Sequence, residues 1–275
     1  MFDNGYTMSE TDKKYGNLEM IKSQSMGKEF PALIFLPDSY NENNNFKVVY
    51  LLHGVNKQPI SEAGVRTLYN PQLDLYKLVN DFQIILVAPI VGTTFYINSK
   101  INPNDKFATF IGEELPEFID EKYKTLAKRT SRILCGFSMG GYGAVSLLCR
   151  YPDTFSLALS RGGALELAYA IKDLEWDDTG VLENILGGFW DNMEEYHLNS
   201  CFNLINSLKG RDDIGIVLEI GKEDFLWKTN QRFKMKLDEL NIPHVYAEYP
   251  VGHQFNKESL FTMLANSQIL NKQND

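Results

Sequence analysis

The chain has 275 residues, 44% hydrophobic and 12% aromatic, enough to bury a sizeable core, and it reads as one large α/β domain over residues 1–275. Its formal charge of −9 at pH 7, with no Lys/Arg-dense stretch to offset it, argues against a phosphate-backbone partner and so against nucleic acid. Met1 to Glu10 contains no basic region followed by an apolar one, and no segment approaches the roughly 18 uninterrupted apolar residues of a membrane span, so a cytoplasmic protein with no membrane partner is expected.

Apolar runs alternate with helical patterns, the signature of a mostly parallel sheet with helices on both faces. A hairpin opens the chain: residues 17–25, a Met26-Gly27 turn, then Glu29 to Leu36, stopped by Pro37. Val48 to Leu52 is a nearly continuous apolar strand of the kind buried in parallel sheets, and Ile84 to Ala88 is another, ended by Pro89. Phe107 to Tyr123 reads as a helix that Pro116 bends. Lys122, Lys124, Lys128 and Arg129 stand among acids and read as solvated surface. Further strands are expected at Ile133 to Cys135, Phe155 to Ser160, Ile216 to Ile220 and Val245 to Tyr249. Leu226, Phe233, Leu237 and Leu240 recur at helical spacing, as do Leu260, Leu264 and Ile269. Residues 164–210, with Trp176, Gly187-Gly188, Trp190 and several acids, break this rhythm and are expected to form a cap inserted over the C-terminal edge of the sheet.

Three cysteines, Cys135, Cys149 and Cys201, are odd in number and widely spaced, which fits neither a disulfide framework nor a zinc site. Cys135 and Cys149 lie in apolar runs and read as small core residues. Neither a metal nor a cofactor is expected, and the sequence neither requires nor forbids a homo-oligomer.

Gly136-Phe137-Ser138-Met139-Gly140 has the G-x-S-x-G pattern of a nucleophile elbow, with the apolar run Arg132 to Cys135 before it and a small-residue helical pattern after it. A serine hydroxyl is a poor nucleophile at neutral pH and needs a general base held by a third group. Of the four histidines, His53 precedes the serine, His197 lies in the expected cap, and His244 sits ahead of the last strand, at the edge opposite the elbow. His253 follows that strand after Pro250-Val251-Gly252 and is the best base. The acid should leave the preceding strand, where Gly221-Lys222-Glu223-Asp224 follows Ile220. Asp224 is the first choice and Glu223 the fallback, although an Asp there could also serve only to cap the next helix. Two backbone N–H groups are expected to receive a developing oxyanion: that of Met139, after the nucleophile, and that of Val55, after His53-Gly54.

Leu51-Leu52-His53-Gly54, the string Gly136 to Ala144, Gly221 to Leu226 and Gly252-His253 together resemble the putative esterase family, which includes tributyrin esterases, S-formylglutathione hydrolases, feruloyl and acetylxylan esterases and mycolyltransferases. The match spans residues 18–270 and is nearest in character to the tributyrin type. The resemblance implies an α/β-hydrolase fold with Ser138, Asp224 and His253 as triad and Val55 and Met139 as oxyanion donors. It implies a serine carboxylesterase acting on short acyl esters as small-molecule substrates, with a carbohydrate esterase of feruloyl or acetylxylan type as the alternative and a non-catalytic binding module as a third reading. His53, Gly54, Tyr96 and Arg161 are the candidate substrate-binding residues. Val55-Asn56-Lys57-Gln58 lacks the cysteine usual in S-formylglutathione hydrolases. Arg161 stands where the family often has a small or hydroxyl residue; an anionic substrate group and an ion pair with a cap acid such as Glu166 compete for it. Phe95 and Tyr96, in the loop from Val91 to Lys106, read either as pocket lining or as packing residues.

Overall fold

The computed structural model describes residues 16–55, 73–172 and 180–271. The readings made on Met1 to Glu10, on Asn56 to Gln58 and on Trp176 lie outside these residues. Among the described residues, eight strands build one sheet: β1 (Asn17–Lys22), β2 (Glu29–Phe35), β3 (Lys47–Leu52), β4 (Ile84–Pro89), β5 (Arg132–Phe137), β6 (Leu157–Arg161), β7 (Gly215–Gly221) and β8 (His244–Tyr249). Their order is β1-β2-β4-β3-β5-β6-β7-β8. β2 runs antiparallel to both its neighbours and every other pairing is parallel. The expected strands all form, with ends moved by one to three residues, a shift ordinary for strand boundaries. The opening hairpin turns at Gly27, whose φ of 64° suits glycine.

The nine helices of the described residues that matter here are α1 (Leu75–Phe82), α2 (Leu115–Lys122), α3 (Met139–Arg150), α4 (Leu167–Lys172), α5 (Val181–Leu186), α6 (Met193–Asn199), α7 (Cys201–Leu204), α8 (Trp227–Leu240) and α9 (Lys257–Asn271). α1 has no counterpart among the expected elements. The expected helix over 107–123 is interrupted: Phe107–Thr109 runs through a π-helical turn at Phe110–Glu114 into α2. Pro116 lies in the first turn of α2 and has no N–H for the carbonyl four residues back; the chain meets this gap with a wide turn, in which the Leu115 N–H donates to the Phe110 carbonyl, in place of a simple bend.

Strand alternation divides the core into two layers. Val48, Tyr50, Leu52, Leu134, Ala158, Ile216 and Leu218 face one layer, shared with α2, α3, α8 and the helical segment between β6 and β7. Val49, Leu51, Ile133, Cys135, Leu157, Leu159 and Val217 face the other, covered by α1 and α9. Both faces of β3 to β7 are therefore buried, which is why these strands read as continuous apolar runs. The described residues between β6 and β7 are mostly helical, in α4 to α7, and they pack beside α3: the Tyr142 hydroxyl donates to the Asn199 carbonyl at 2.7 Å. It also touches the loop after β4, where the Ser99 hydroxyl and the Lys100 N–H both donate to the Ile185 carbonyl.

Cys135, Cys149 and Cys201 are all buried free thiols whose pKa values burial pushes up, so each behaves as a small apolar core residue. The cations at the end of α2 meet acids as expected, through Lys122–Glu19 at 2.6 Å, Lys124–Glu42 at 2.7 Å and Arg129–Asp213 at 2.6 Å. No helix among the described residues is long and apolar enough to cross a membrane.

Candidate active site

The C-terminal edge of the sheet gathers the site. Ser138 sits between β5 and α3 with φ 56° and ψ −116°, a region that non-glycine residues seldom occupy and that costs about 1–3 kcal/mol. The surroundings hold it there: the Ser138 N–H donates to the Arg161 carbonyl at 3.0 Å, and the Ser138 carbonyl accepts the Tyr142 N–H at 3.0 Å. The turn closes against β3, where a Cβ at position 140 would stand 1.9 Å from the Leu52 carbonyl oxygen, so Gly140 is the residue that fits.

His253, in the loop between β8 and α9, bridges two partners. Its Nδ1 lies 2.7 Å from Asp224 Oδ2, and its Nε2 lies 3.0 Å from Ser138 Oγ. A carboxylate only accepts, so Nδ1 carries the proton and Nε2 presents a lone pair to the serine hydroxyl. Asp224, whose side chain is 2% exposed, uses its other oxygen to accept the Leu226 N–H at 2.8 Å, just ahead of α8. Of the two uses that the sequence set in competition, orienting the histidine is the one the geometry shows: the N-cap of α8 is Leu226, not Asp224, and the second Asp224 oxygen only closes the turn ahead of that helix. Glu223 is exposed, and its N–H donates to the Val251 carbonyl. The other histidines stand apart as expected: His244 opens β8 at the opposite edge, with Nδ1 2.8 Å from the Ile242 carbonyl, and His197 is on α6.

Three aromatic rings and one glycine complete the site, and none carried a role in the sequence reading. Phe137 and Phe225 place their ring centroids 4.5 and 4.6 Å from that of His253, and Phe255 stacks on Phe137 at 5.4 Å. Gly162 has φ 53°, and a Cβ there would lie 3.0 Å from Asp224 Oδ2 and 3.4 Å from His253 Nδ1. The signal available for Phe137 and Phe225 was adjacency alone, since each neighbours a triad candidate in sequence.

The loop after β3 packs onto the elbow, where a Cβ on Gly54 would be 3.6 Å from Ser138 Cβ. His53 Nδ1 lies 2.7 Å from the Gly54 carbonyl oxygen, and its Nε2 accepts the Val91 N–H at 3.3 Å. Nε2 as acceptor leaves the proton on Nδ1, which donates to Gly54. Burial lowers the His53 pKa to about 4, opposed by the Gly54 hydrogen bond, so the ring is neutral at pH 7. Met139 opens α3, where the first N–H groups have no acceptor within the helix.

The family described as "Putative esterase" matches residues 23–265 of the chain. The chain belongs to the putative esterase family. Among curated relatives, an acetyl esterase of Caldicellulosiruptor saccharolyticus is 25% identical over 227 residues, covering 78% of this chain and 80% of that protein. An esterase of Mycobacterium tuberculosis is 25% identical over 253 residues, covering 82% of this chain but 52% of its own length, so this chain spans about half of that relative. Among solved structures, the fluorophosphonate-binding serine hydrolase FphF of Staphylococcus aureus superposes with a TM-score of 0.75 at 22% identity, over 92% of this chain and 97% of that one. That likeness establishes the α/β-hydrolase fold.

In this family member three of the candidate substrate-binding residues, Arg161, Tyr96 and His53, are buried against protein partners. Arg161 is 4% exposed, and its Nη1 donates to Glu219 Oε2 at 2.9 Å, in place of a substrate anion or Glu166. The cause is strand alternation: residues 157, 159 and 161 share the face covered by α9, away from the elbow helix. There Thr262 Oγ1 and Asn266 Nδ2 also donate to Glu219, and the Arg161 guanidinium lies 4.6 Å over the Tyr249 ring. Glu166 pairs with Arg232 at 3.1 Å. Tyr96 is fully buried, its hydroxyl donating to the His53 carbonyl at 2.9 Å, and Phe95 is likewise a packing residue at 1% exposed. His53 is 4% exposed and bonds the loop from behind. Gly54 remains at the elbow, partly exposed.

Proposed function

We infer that this chain is a serine carboxylesterase that hydrolyses short-chain acyl esters through an acyl-enzyme. The observation that carries the reading is the continuous relay Ser138 Oγ–His253 Nε2 and His253 Nδ1–Asp224 Oδ2, at 3.0 and 2.7 Å. Ser138 Oγ attacks the ester carbonyl while its proton passes to His253 Nε2. Asp224 holds the ring in the tautomer this requires and faces the imidazolium that forms. His253 then returns the proton to the oxygen of the leaving alcohol, and a water molecule repeats the sequence on the acyl-enzyme.

The N–H groups of Met139 and Val55 receive the oxyanion in this reading. The Gly54 carbonyl and the Val55 N–H belong to one peptide plane and point opposite ways in a trans peptide. The His53 bond to that carbonyl therefore sets the direction of the donor, which gives His53 a positioning role and explains why its ring is buried behind the loop. A binding module would have no physical need for the complete relay.

A carbohydrate ester is the second reading, supported by a match of 23% identity over 180 residues to an endo-1,4-beta-xylanase/feruloyl esterase of Xylanibacter ruminicola. A panel of p-nitrophenyl esters and acetylated or feruloylated oligosaccharides separates the two. In either case Ser138→Ala should lose on the order of 10⁶-fold in kcat. Full activity in that variant would refute the mechanism.

A further inference from the structure

Two aromatic rings flank the base of the relay. His253 meets Phe137 at 4.5 Å between ring centroids with an interplanar angle of 36°, and Phe225 at 4.6 Å and 47°. The charged side chain bonded to it is Asp224, at Nδ1, and the serine hydroxyl occupies Nε2. Both ring nitrogens are thus engaged along the edge, and the phenylalanines contact the rest of the imidazole. Phe137 is held firmly: Phe255 stacks on it at 10°, and Gly54 and Gly162 lie so close that a Cβ on either would come within 3.6 and 3.4 Å of its ring. Phe225 is 43% exposed at the mouth of the site.

We propose that Phe137 and Phe225 assist the reaction by stabilising the positive charge that His253 acquires in the transition state. The inference rests on the esterase reading. When the Ser138 Oγ–carbon bond forms, the carbonyl electron pair moves to the oxyanion and the hydroxyl proton moves to Nε2, so the ring passes from neutral to cationic. An aromatic face carries negative electrostatic potential and attracts a cation within about 6 Å of its centroid. A neutral imidazole gains much less, so the interaction strengthens as the charge appears and lowers the barrier rather than tightening substrate binding. Both rings act through His253 and are positioning residues in this scheme, with no bond to the reacting atoms.

The test compares aliphatic with aromatic substitutions. Phe225→Leu and Phe137→Leu keep apolar bulk and remove the π face; Phe225→Tyr and Phe225→Trp keep the face. With p-nitrophenyl acetate, each leucine variant should lose about two- to five-fold in kcat, and the double variant about ten-fold, with KM within two-fold of wild type. The tyrosine and tryptophan variants should retain wild-type kcat. An alkyl boronic acid, whose tetrahedral adduct on Ser138 faces a protonated His253, should bind the leucine variants more weakly by the same factors. Phe225 is partly exposed, so its variants test the idea even if a change at the enclosed Phe137 unfolds the protein. Leucine variants with unchanged kcat, a loss confined to KM, or failure of tyrosine and tryptophan to preserve the rate would each overturn the proposal while the esterase reading stands. A wild type inert to both ester and boronate would overturn the two together.

Discussion

Replacing Arg161 separates a structural role from a substrate-binding one. The Glu219 carboxylate is fully buried and accepts three donors: Arg161 Nη1 at 2.9 Å and Thr262 Oγ1 at 3.0 Å on one oxygen, and Asn266 Nδ2 at 2.9 Å on the other. Arg161→Met fills the same space but leaves a buried negative charge facing two neutral donors. Breaking a buried pair from one side costs about 3–5 kcal/mol, which for a domain of this size lowers Tm by roughly 6–20 °C. Burial already raises the Glu219 pKa, against the pull of Thr262, Arg161 and Asn266. Loss of the guanidinium raises it further. A group whose pKa rises on folding contributes its stability below the unfolded value and loses it as pH climbs through the folded one. The deficit of Arg161→Met should therefore be widest at pH 8 and narrow on acidification toward pH 5. Adding Glu219→Gln, which removes the charge but keeps an acceptor, should recover most of the Tm. Calorimetry at both pH values, with KM for neutral and anionic esters alongside, reads the outcome. A ten-fold rise in KM confined to anionic esters, with Tm unchanged, would refute the assignment and return Arg161 to the substrate.

The remaining expectations concern the relay and its supports. Asp224→Asn should cost about 10⁴ in kcat by favouring the wrong tautomer of His253, whereas Glu223→Gln should leave kcat within two-fold; steady-state kinetics on both variants decides. Gly162→Ala puts a Cβ 3.0 Å from Asp224 Oδ2 at a φ of 53° and should lower stability by about 1 kcal/mol and kcat by roughly 10², read by urea unfolding and by rate. His53 has a pKa depressed on folding, so its contribution is complete above about pH 6.5 and is lost as pH falls toward 4, up to ~3 kcal/mol in all. His53→Asn, which keeps a donor for the Gly54 carbonyl, should flatten the decline in urea stability between pH 7.5 and 5; an identical decline in both proteins would contradict the burial argument.

Much of this molecule was legible because its interior strands are buried on both faces. Val48 to Leu52 and Ile216 to Ile220 announce themselves as unbroken apolar runs, and strand order then selects His253 from the four histidines. Asp224 could be placed but its division of labour could not, since which oxygen meets which donor is a matter of tertiary geometry. For Arg161 the sequence left a substrate anion and an ion pair open and could not supply Glu219 as the acid, because its facing depends on the parity of β6 against α9, an element far along the chain. Between lining and packing the sequence could not choose for Tyr96, nor could it show that His53 is buried, because their partners lie 43 and 38 residues distant, across the loop after β4. α1 escaped notice because it is short and its first residue follows a left-handed Asp74 with no capping bond. The π turn before Pro116 has no periodicity of its own to reveal it.

The placing of His253 as the proposed base has a consequence for how the protein fails. Ser138 hangs from β5, deep in the sheet, while His253 follows β8, the terminal strand, every residue of which is partly solvent-exposed. Native proteins open piecemeal, and the elements with the least burial open first. If the esterase reading holds, detachment of β8 would carry His253 away from a Ser138 that has not moved, and activity is expected to fail on heating before the fold melts, as rate and calorimetry on the same sample would show. Ser138 then shares the lifetime of the core, and the relay to His253 that of its outermost strand.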